Sequence, residues 1–490
     1  MITFKDSIAI FFKGICRNKF SCLGATITTV TFPILLVGTL LDFMGIFHHQ
    51  IFGAILYLII TPLFLTGHAL FFYGYFLVKN SPDKKSVFSF DYFTTHFKNI
   101  SAKTSFRKVI LFSTLLGVGN FFILLVVTFM GHHYTETPEF CGTLCHTVMN
   151  PEYVSYQNSP HSRVACVDCH VGPGLKWFVQ SKISGLRQVV ELATDTYDRP
   201  INVPIHGLRP TQGTCEKCHR PQLFVGEKLI VKNKYEEDEN NTLLQSVLLL
   251  KVGSGGHKGT KASGIHWHVS DGTTINYTYL DKDRQQIATV HLTRSDGTEV
   301  LYTNSDFSDE GAEKSGNRHA GGAKTMDCVD CHTRPTHMYE SANVALDKRF
   351  DSGEISTEIP FIKQQAMIAI TGEYGSHQVA REQIRSTLTS WYQKNQADFI
   401  KENKALLETA IGAIQEAYTE NVFPGMKIGW DNYIRNLGHL DDGGCFRCHN
   451  ESFESEAGDT ISQDCDTCHV IMAEEEENPE ILATLKGYEE

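Results

Sequence analysis

The chain has 490 residues, enough for two or three domains, and its formal net charge is −12 at pH 7. The charge is divided, because residues 1–130 carry 11 basic and 4 acidic side chains whereas residues 131–490 carry 33 and 52. Such an acidic C-terminal part argues against nucleic acid as a partner and suits docking with basic redox proteins, although it can also serve solubility alone.

Three apolar stretches come first in the chain, at about Leu23–Phe47, Ile51–Leu77 and Val109–Met130. Each reaches the roughly 20 residues that a helix needs to cross a bilayer. Lysines and arginines precede the first stretch and separate the second from the third, but the short link His48–Gln50 has none. The positive-inside bias therefore puts the N-terminus in the cytoplasm and everything after Met130 in the periplasm. The sequence predicts a multi-pass protein of the bacterial inner membrane.

Two ionisable side chains, Asp42 and His68, lie inside these stretches. An ionisable group within a membrane span is a functional candidate, because placing it in lipid is costly. Asp42 is close enough to the outer end of the first stretch to reach the interface. His68 is deeper and has no evident partner, so packing is favoured over a proton relay or an iron ligand, and we predict no haem b.

Six cysteine–histidine motifs follow the apolar stretches. Five read C-x-x-C-H: Cys166, Cys169 and His170; Cys215, Cys218 and His219; Cys328, Cys331 and His332; Cys445, Cys448 and His449; Cys465, Cys468 and His469. The first, Cys141, Cys145 and His146, has three residues between its cysteines. In a c-type site each thiol bonds to a haem vinyl group and the adjacent histidine ligates the iron. Structural zinc does not require a histidine after every second cysteine, so the spacing favours six covalently attached c-type haems over zinc.

The motifs also agree with the predicted topology, because haem is attached covalently outside the cytoplasm. They account for 12 of the 14 cysteines and leave Cys16 and Cys22. No disulfide framework is required, and these two can remain reduced thiols near the membrane.

Between the third and fourth motifs the pattern is typical of strands. Short apolar or alternating runs occur at Lys228–Lys232, Ser246–Val252, His266–Val269, Thr274–Tyr279, Ile287–Thr293 and Glu299–Tyr302. With Ser-Asp-Gly turn signals at 270–272 and 295–297, they predict an antiparallel β insert. After the fourth motif, apolar spacing of about 3.6 residues predicts helices over Phe361–Ile370, His377–Lys394 and Ala397–Thr419. These helices would cover the haems or form a contact in a homo-oligomer.

The predicted fold class is a membrane-anchored α+β multihaem cytochrome. Three N-terminal transmembrane helices precede a haem-packed, mostly helical or irregular periplasmic domain with a β insert. The predicted domains are a membrane anchor at 1–130, a haem core with motifs one to three at 131–221, a β-rich insert at 222–324, a C-terminal haem domain with motifs four to six at 325–472, which includes the helical segment 355–420, and an acidic tail at 473–490.

The segment Thr137–His170, TPEFCGTLCHTVMNPEYVSYQNSPHSRVACVDCH, resembles the first two haem motifs of the NapC/NirT/NrfH membrane cytochromes. The likeness follows the order helix, haem, methionine, Pro-Glu-Tyr, histidine, haem, and extends to about His219. The rest of the chain is similar to larger multihaem NapC/NirT members at Gly264–Val269, Thr325–His337, Gly444–His449 and Ile461–His469. The small members use one transmembrane helix and four c haems to oxidise quinol and pass electrons outward. This chain differs in its three predicted helices and six motifs.

The resemblance also implies residue roles. In the small members a methionine ligates the first iron, which points to Met149, three residues after His146. A lysine and an acid after the second motif contact quinol in those members. Lys182 stands nearest to the lysine, but Ser184 occupies the place of the acid.

Low-spin electron-transfer haems need a second axial ligand, usually a histidine or a methionine. His161 precedes Cys166 by five residues, in the position that serves another haem in NapC-like proteins. The other candidates are histidines close to a motif or on the predicted strand: His337, His439, His266 and His268, with His206 and His319 second in rank. His266 and His268 alternate on one face of that strand, so both could point towards haems.

Quinol oxidation needs a base near the first haem, because each quinol releases two protons with its two electrons. Since Cys141 follows Met130 by 11 residues, that haem is expected at the outer end of the third apolar stretch. The candidate bases are His132, His133, Glu136, Glu139 and Lys182. We therefore expect a quinol dehydrogenase of anaerobic respiration, which takes electrons from the membrane quinol pool and passes them along its haems to a periplasmic c-type cytochrome or reductase.

Two other functions stay open. A terminal reductase for nitrite, hydroxylamine or a metal oxide would need an open iron. The chain has no C-x-x-C-K motif, but the first haem would be open if Met149 did not bind it. A non-catalytic electron wire would receive electrons from a partner protein instead of quinol.

Overall fold

The computed structural model describes residues 16, 18–46, 50–79, 102–144, 146–172, 174–202, 210–220, 223–224, 226–253, 262–307, 321–439 and 442–486. The chain divides into two compact units, Met1–His146 and Thr147–Glu490. The predicted residues Cys145, His206 and His319 lie outside the described residues, and so does the side chain of His146.

The first unit is helical: α1 (Lys19–Phe43), α2 (Gln50–Ala54), a π-helical segment (Ile55–Ile60), α3 (Thr61–Lys79), α4 (Ala102–Thr135) and α5 (Pro138–Thr143). Three of its segments are long and apolar enough to cross a membrane, Lys19–Phe43, Ile51–Val78 and Leu111–Thr135, which confirms the prediction of three apolar helices. Helices α1 and α3 approach closely at Gly24, where a Cβ atom would lie 2.4 Å from the Phe71 backbone nitrogen. Small residues commonly permit such approaches between membrane helices.

Two features of this unit bear on the sequence predictions. Cys16 and Cys22 form a disulfide, which the sequence analysis did not require. His68 Nδ1 lies 2.9 Å from the Phe64 carbonyl oxygen of its own helix, and the two rings are 4.4 Å apart. These contacts suit the packing interpretation of His68.

The second unit begins with helices α6 (His146–Gln157), α7 (Cys166–His170) and α8 (Leu175–Ala193), and contains two antiparallel sheets. The strands are β1 (Lys228–Tyr235), β2 (Leu243–Leu250), β3 (Thr274–Tyr279), β4 (Ile287–Thr293), β5 (Glu299–Asn304), β6 (Gly322–Thr325), β7 (Phe453–Ser455) and β8 (His469–Glu476). The strand orders are β1-β2-β8 and β6-β3-β4-β5-β7. Each sheet is thus completed by a strand from the C-terminal part of the chain, and β8 extends into the segment predicted as an acidic tail.

The predicted strand His266–Val269 is wrong. Residues Ile265–Val269 form a 3₁₀ helix that follows Gly264, whose φ of +66° turns the chain out of the extended conformation. Successive residues of a 3₁₀ helix are a third of a turn apart, so His266 and His268 point in different directions instead of sharing a strand face.

The remaining helices are α9 (Cys328–Cys331), α10 (Ala342–Asp351), α11 (Ile362–Ile370), α12 (His377–Asn395), α13 (Ala397–Asn421) and α14 (Glu480–Lys486). The three helices predicted from apolar spacing are confirmed as α11 to α13, to within two residues at each end. Helices α10 to α13 form a helical layer around side chains that are fully buried, among them Leu346, Ile362, Ile384 and Ile411. In this layer Lys363 is 1% exposed and forms an ion pair with Asp347.

Candidate functional site

The motifs of the second unit lie on single helical turns. The second and fourth motifs are α7 and α9, and the third, fifth and sixth lie on 3₁₀ turns. The backbone N–H of His219 donates to the Cys215 carbonyl at 2.8 Å, and that of His332 donates to the Cys328 carbonyl at 2.9 Å. Residues three and four apart share one side of such a turn, so the two cysteines and the histidine of a motif face the same way.

Four of the motif histidines face a second histidine that is distant in sequence. The distances between ring centres are 6.2 Å for His170 and His337, 6.0 Å for His219 and His161, 5.8 Å for His449 and His268, and 6.1 Å for His469 and His439. Each pair therefore joins one motif histidine to one histidine that the sequence analysis proposed as a distal ligand.

These distances suit two imidazoles on opposite sides of one iron. Metal bonds to imidazole nitrogen are about 2.0 Å long, so opposed rings on one ion have centres about 6 Å apart. The four pairs all lie within a few tenths of an ångström of that value. Such a pair would supply both axial ligands of a low-spin haem.

Hydrogen bonds orient the rings of two pairs. The Nδ1 atoms of His268 and His449 lie 2.8 Å from the carbonyl oxygens of Ile265 and Ser462, and His337 Nδ1 lies 2.9 Å from the Glu152 carbonyl oxygen. A ring that donates its Nδ1 proton to a carbonyl keeps Nε2 available for a metal. The Nδ1 atoms of His161 and His469, by contrast, are buried without a partner.

Burial also favours the neutral form of these rings, which is the form that binds metals. The pKa values of His170, His268 and His337 all lie below the ordinary histidine value, mainly because burial disfavours the charged imidazolium. In His170 the neighbouring His337 adds to this effect, whereas Glu152 opposes it. A buried neutral imidazole is ready to ligate iron without first losing a proton.

The histidine of the fourth motif, His332, has a different neighbourhood. Burial lowers the pKa of His332, and the nearby His266 and His219 lower it further. His266 Nδ1 lies 3.1 Å from the Val252 carbonyl oxygen, which again leaves Nε2 available. His266 is therefore the best candidate for the second ligand beside His332.

Cysteine side chains show which motifs are neighbours. The thiols of Cys215 and Cys328 hydrogen-bond each other, which lowers the pKa of Cys328 to about 7 and raises that of Cys215, and Cys169 also acts on Cys215. Burial raises the pKa of Cys331 to about 12, with a contribution from Cys445. Burial likewise raises the pKa of Cys468, and Cys445 is again a contributor. Motifs two to six thus neighbour one another in chain order.

The first motif lies at the end of the first unit. Cys141 is half-buried on α5, which begins after Thr137, whose hydroxyl caps the helix by accepting from the Phe140 N–H at 3.1 Å. Met149 lies on α6, three residues after His146. Because Cys145 and the His146 side chain are outside the described residues, Met149 stays a prediction as the ligand of the first iron.

Comparisons with known proteins agree with these motifs. The profile of the NapC/NirT cytochrome c family, N-terminal region, matches residues 102–209. Over 472 residues the chain is 34% identical to the cytochrome c-type protein ImcH of Geobacter sulfurreducens, which covers 95% of this chain and 90% of that protein. The chain belongs to the NapC/NirT cytochrome c family.

A second relative in this family is the cytochrome c-type protein NrfH of Wolinella succinogenes. It is 29% identical over 117 residues, which are 23% of this chain and 64% of NrfH. No solved structure gives a significant match. As a cytochrome c with three candidate membrane helices, the chain is a haem protein of membrane-associated electron transport.

The structure adds two residues that the sequence analysis missed, Glu152 and Arg334. Arg334 Nη2 donates to both carboxylate oxygens of Glu152 at 2.8 Å, and its Nε donates to the His337 carbonyl at 2.8 Å. Glu152 Oε2 also lies 3.2 Å from His337 Nδ1. The Glu152 carboxylate contacts the ring of His337 and the Arg334 guanidinium contacts its backbone carbonyl. Together they fix the direction of the ring. Glu152 belongs to the Pro-Glu-Tyr of the family segment, which is the signal that could have identified it.

The five predicted bases fall in two places. His132 and His133 lie on the last turn of α4, and Glu136 and Glu139 follow; His132 Nδ1 is 3.2 Å from Glu136 Oε1. Lys182 lies on α8 of the second unit, with its Nζ 5.1 Å from the centre of the Phe178 ring. Four of the candidates are thus together within ten residues of Cys141, and Lys182 belongs to a separate element.

Proposed function

We propose that this chain is a six-haem c-type cytochrome of the inner membrane that oxidises quinol and delivers the electrons to a periplasmic cytochrome or reductase. The observation that carries the proposal is the set of four histidine pairs with ring centres 5.8 to 6.2 Å apart, each built on a haem-attachment motif. Bound haem supplies reversible one-electron chemistry at its iron.

The residues of the chain determine what that chemistry can be used for. If both histidines of a pair ligated the iron of a bound haem, no position would be left for a substrate, which would suit electron transfer and not reduction of a bound molecule. This argues against a terminal reductase at the second, third, fifth and sixth motifs. We propose that His266 completes the fourth motif in the same way and that Met149 completes the first.

The order of the motifs supports a single path for electrons. A hydrogen bond between cysteines joins the third motif to the fourth, and electrostatic interactions between cysteines link the second to the third, the fourth to the fifth and the fifth to the sixth. Cys141 of the first motif follows the end of the third apolar helix, Thr135, by six residues. We therefore propose that electrons enter at the first haem and leave near the sixth, where Cys465 is exposed.

Stopped-flow spectroscopy tests this function. The purified chain in detergent is mixed with a reduced menaquinol analogue, with and without a quinone-site inhibitor, and haem reduction is followed by absorbance. We expect rapid reduction of all haems, and we expect the inhibitor to block this reduction. If dithionite reduces the haems and the quinol analogue does not, the chain is not a quinol dehydrogenase, and the electron-wire function, in which a partner protein supplies the electrons, takes its place.

A further inference from the structure

Three side chains from three different apolar segments meet in the first unit: Asp42 of α1, Tyr57 of the π-helical segment and Tyr134 of α4. The Tyr57 hydroxyl donates to Asp42 Oδ2 at 2.6 Å. Tyr57 is 5% exposed and packs in an apolar cluster with Leu35 and Val127, which are fully buried. A carboxylate among such side chains is costly in lipid and needs a reason to be there.

The backbone is specialised at the same place. Tyr57 lies on the π-helical segment Ile55–Ile60, where the Thr61 hydroxyl donates to the Leu56 carbonyl at 3.0 Å. A π turn holds more residues than an α turn and so changes which side chains face a neighbouring helix. Such segments are rare and occur often at functional sites. Here the irregular turn carries the tyrosine that meets Asp42.

Aromatic contacts lead from this pair to the first haem motif. The ring centres of Tyr57 and Tyr134 are 5.5 Å apart, and those of Tyr134 and Phe140 are 5.3 Å apart. Phe140 is the residue before Cys141. The Tyr134 ring also packs on Gly53, where a Cβ atom would lie 2.7 Å from a ring carbon, so a larger residue would displace it. The aromatic contacts of the acid–tyrosine pair therefore extend to the residue next to the first haem motif.

We propose that Asp42 and Tyr57 bind one hydroxyl of the quinol head group and that Asp42 accepts its proton, with Tyr134 as a wall of the site. The inference rests on the proposed function and names the residues that would hold its substrate. A quinol head group has two hydroxyls on a flat ring, and the apolar tail attached to it can lie among the apolar helices. The carboxylate accepts a hydrogen bond from the hydroxyl, the Tyr57 hydroxyl supplies a second polar contact, and the aromatic rings pack against the flat face.

The proton balance gives Asp42 a defined task. Oxidation of one quinol to quinone releases two electrons and two protons; the electrons pass to two haems, Asp42 takes the proton of the hydroxyl that it binds, and the proton of the opposite hydroxyl passes to water. Asp42 is the second-to-last residue of α1 and is only partly buried, and the residues Phe43–Ile46 that follow it are exposed. The proton that Asp42 takes up can therefore pass from the carboxylate to water.

The alternative is that the hydrogen bond between Asp42 and Tyr57 only joins two helices. Two substitutions separate these roles. Asp42→Asn keeps the shape of the side chain and its ability to accept a hydrogen bond, but the amide cannot take up a proton. Tyr57→Phe removes only the hydroxyl. The matched control is Tyr73→Phe on α3, because Tyr73 is 54% exposed and meets Phe20 near the start of α1, away from the cluster.

The first measurement is equilibrium binding of a fluorescent alkyl-hydroxyquinoline N-oxide, a quinone-site inhibitor, to the oxidised full chain in detergent. We expect Tyr57→Phe to bind it about tenfold more weakly, as the loss of a hydrogen bond in a desolvated site predicts, and Tyr73→Phe to bind like wild type. The second measurement is haem reduction by a menaquinol analogue. Here Asp42→Asn is expected to lower the maximal rate at least about 100-fold, as loss of a general base does, with unchanged reduction by dithionite.

Each outcome has one meaning. If both variants bind the inhibitor and react with quinol as wild type does, the inference is wrong and the pair is a structural contact. If Asp42→Asn or Tyr57→Phe loses its haem spectrum, Asp42→Glu, which retains the carboxylate, is measured in its place. The inference is wrong if Asp42→Glu keeps its haem spectrum and still does not react with quinol. If wild type itself neither binds the inhibitor nor is reduced by quinol, the proposed function fails, whatever the variants do.

Discussion

The helical layer and the motif-bearing segments of the second unit are packed in opposite ways. Helix α13 has nine buried residues, among them Ile411 and Ile414 with no exposed surface. The turns that carry the second, third and sixth motifs have no buried residue. Apolar side chains therefore stabilise the helical layer, whereas in the motif-bearing segments we expect the large apolar faces of attached haems to provide those contacts. The proposed haems would thus be part of the core in one region and not in the other.

Removal of one haem should give the largest effect, because it removes both a redox centre and part of a core. We expect Cys328→Ala combined with Cys331→Ala to lower the haem content by at least one haem per chain and to block reduction of the haems beyond it. Haem content is measured by the pyridine haemochrome method, and the reduction by stopped flow. The control is Cys16→Ser combined with Cys22→Ser, which removes only the cysteines outside the motifs. An unchanged haem content in the first variant would contradict the proposed attachment.

The helical layer should respond to a different change. Lys363→Ala leaves the Asp347 carboxylate buried without its partner, which is expected to cost about 3–5 kcal/mol of unfolding free energy. Urea unfolding followed by far-ultraviolet circular dichroism measures that loss, and the haem spectrum should stay that of wild type before the transition. Lys401→Ala serves as control, because its ion pair with Asp398 is exposed and should contribute less than about 1 kcal/mol. Equal losses in the two variants would show that the layer does not depend on its buried pair.

A change of one axial ligand should alter the potential and leave the fold intact. His337→Met is expected to raise the reduction potential of the haem at the second motif, because methionine favours ferrous iron. The rise should be a fraction of the roughly 0.8 V range that axial ligands span. Redox titration followed by absorbance detects it. His291→Met changes a histidine that pairs with Glu299 on the surface, so its potentials should match wild type. If both variants titrate as wild type does, His337 is not a ligand.

The smallest effect is expected from the residues that orient His337. Glu152→Gln keeps the size of the side chain but removes the charge that faces Arg334. Partners of this kind typically contribute about 10–100-fold to metal affinity, so we expect partial conversion of one haem to the high-spin form, with a smaller change than in His337→Met. Electron paramagnetic resonance measures the high-spin fraction. The control is Glu354→Gln, which changes the exposed ion-pair partner of Arg349. This variant should show no high-spin signal.

Sequence patterns located the regular elements well where the apolar spacing was strong. Helices α11 to α13 agree with the prediction because their buried residues recur with the helical period over nine or more positions. The segment His266–Val269 misled the prediction, because alternation over four residues does not distinguish a strand from a short 3₁₀ turn. Strand β7 was missed because three residues are too few to show a period.

The candidate site divides in the same manner. The motifs are local, so their cysteines and histidines could be read directly from the chain. Five distal histidines could also be proposed, three from their nearness to a motif and two from a predicted strand. Which distal histidine meets which motif could not be derived, since His170 and His337 are 167 residues apart in the sequence and still face each other. The contact of Arg334 with Glu152 was hidden for the same reason.

The sequence by itself determined the haem-attachment motifs, the three apolar helices and the family, because each of these depends on residues that are close together in the chain. Only the tertiary structure decided the four histidine pairs, the chain order of neighbouring motifs and the meeting of Asp42 with Tyr57. Those contacts join distant segments, and their geometry follows from how helices and sheets pack, which no local pattern records.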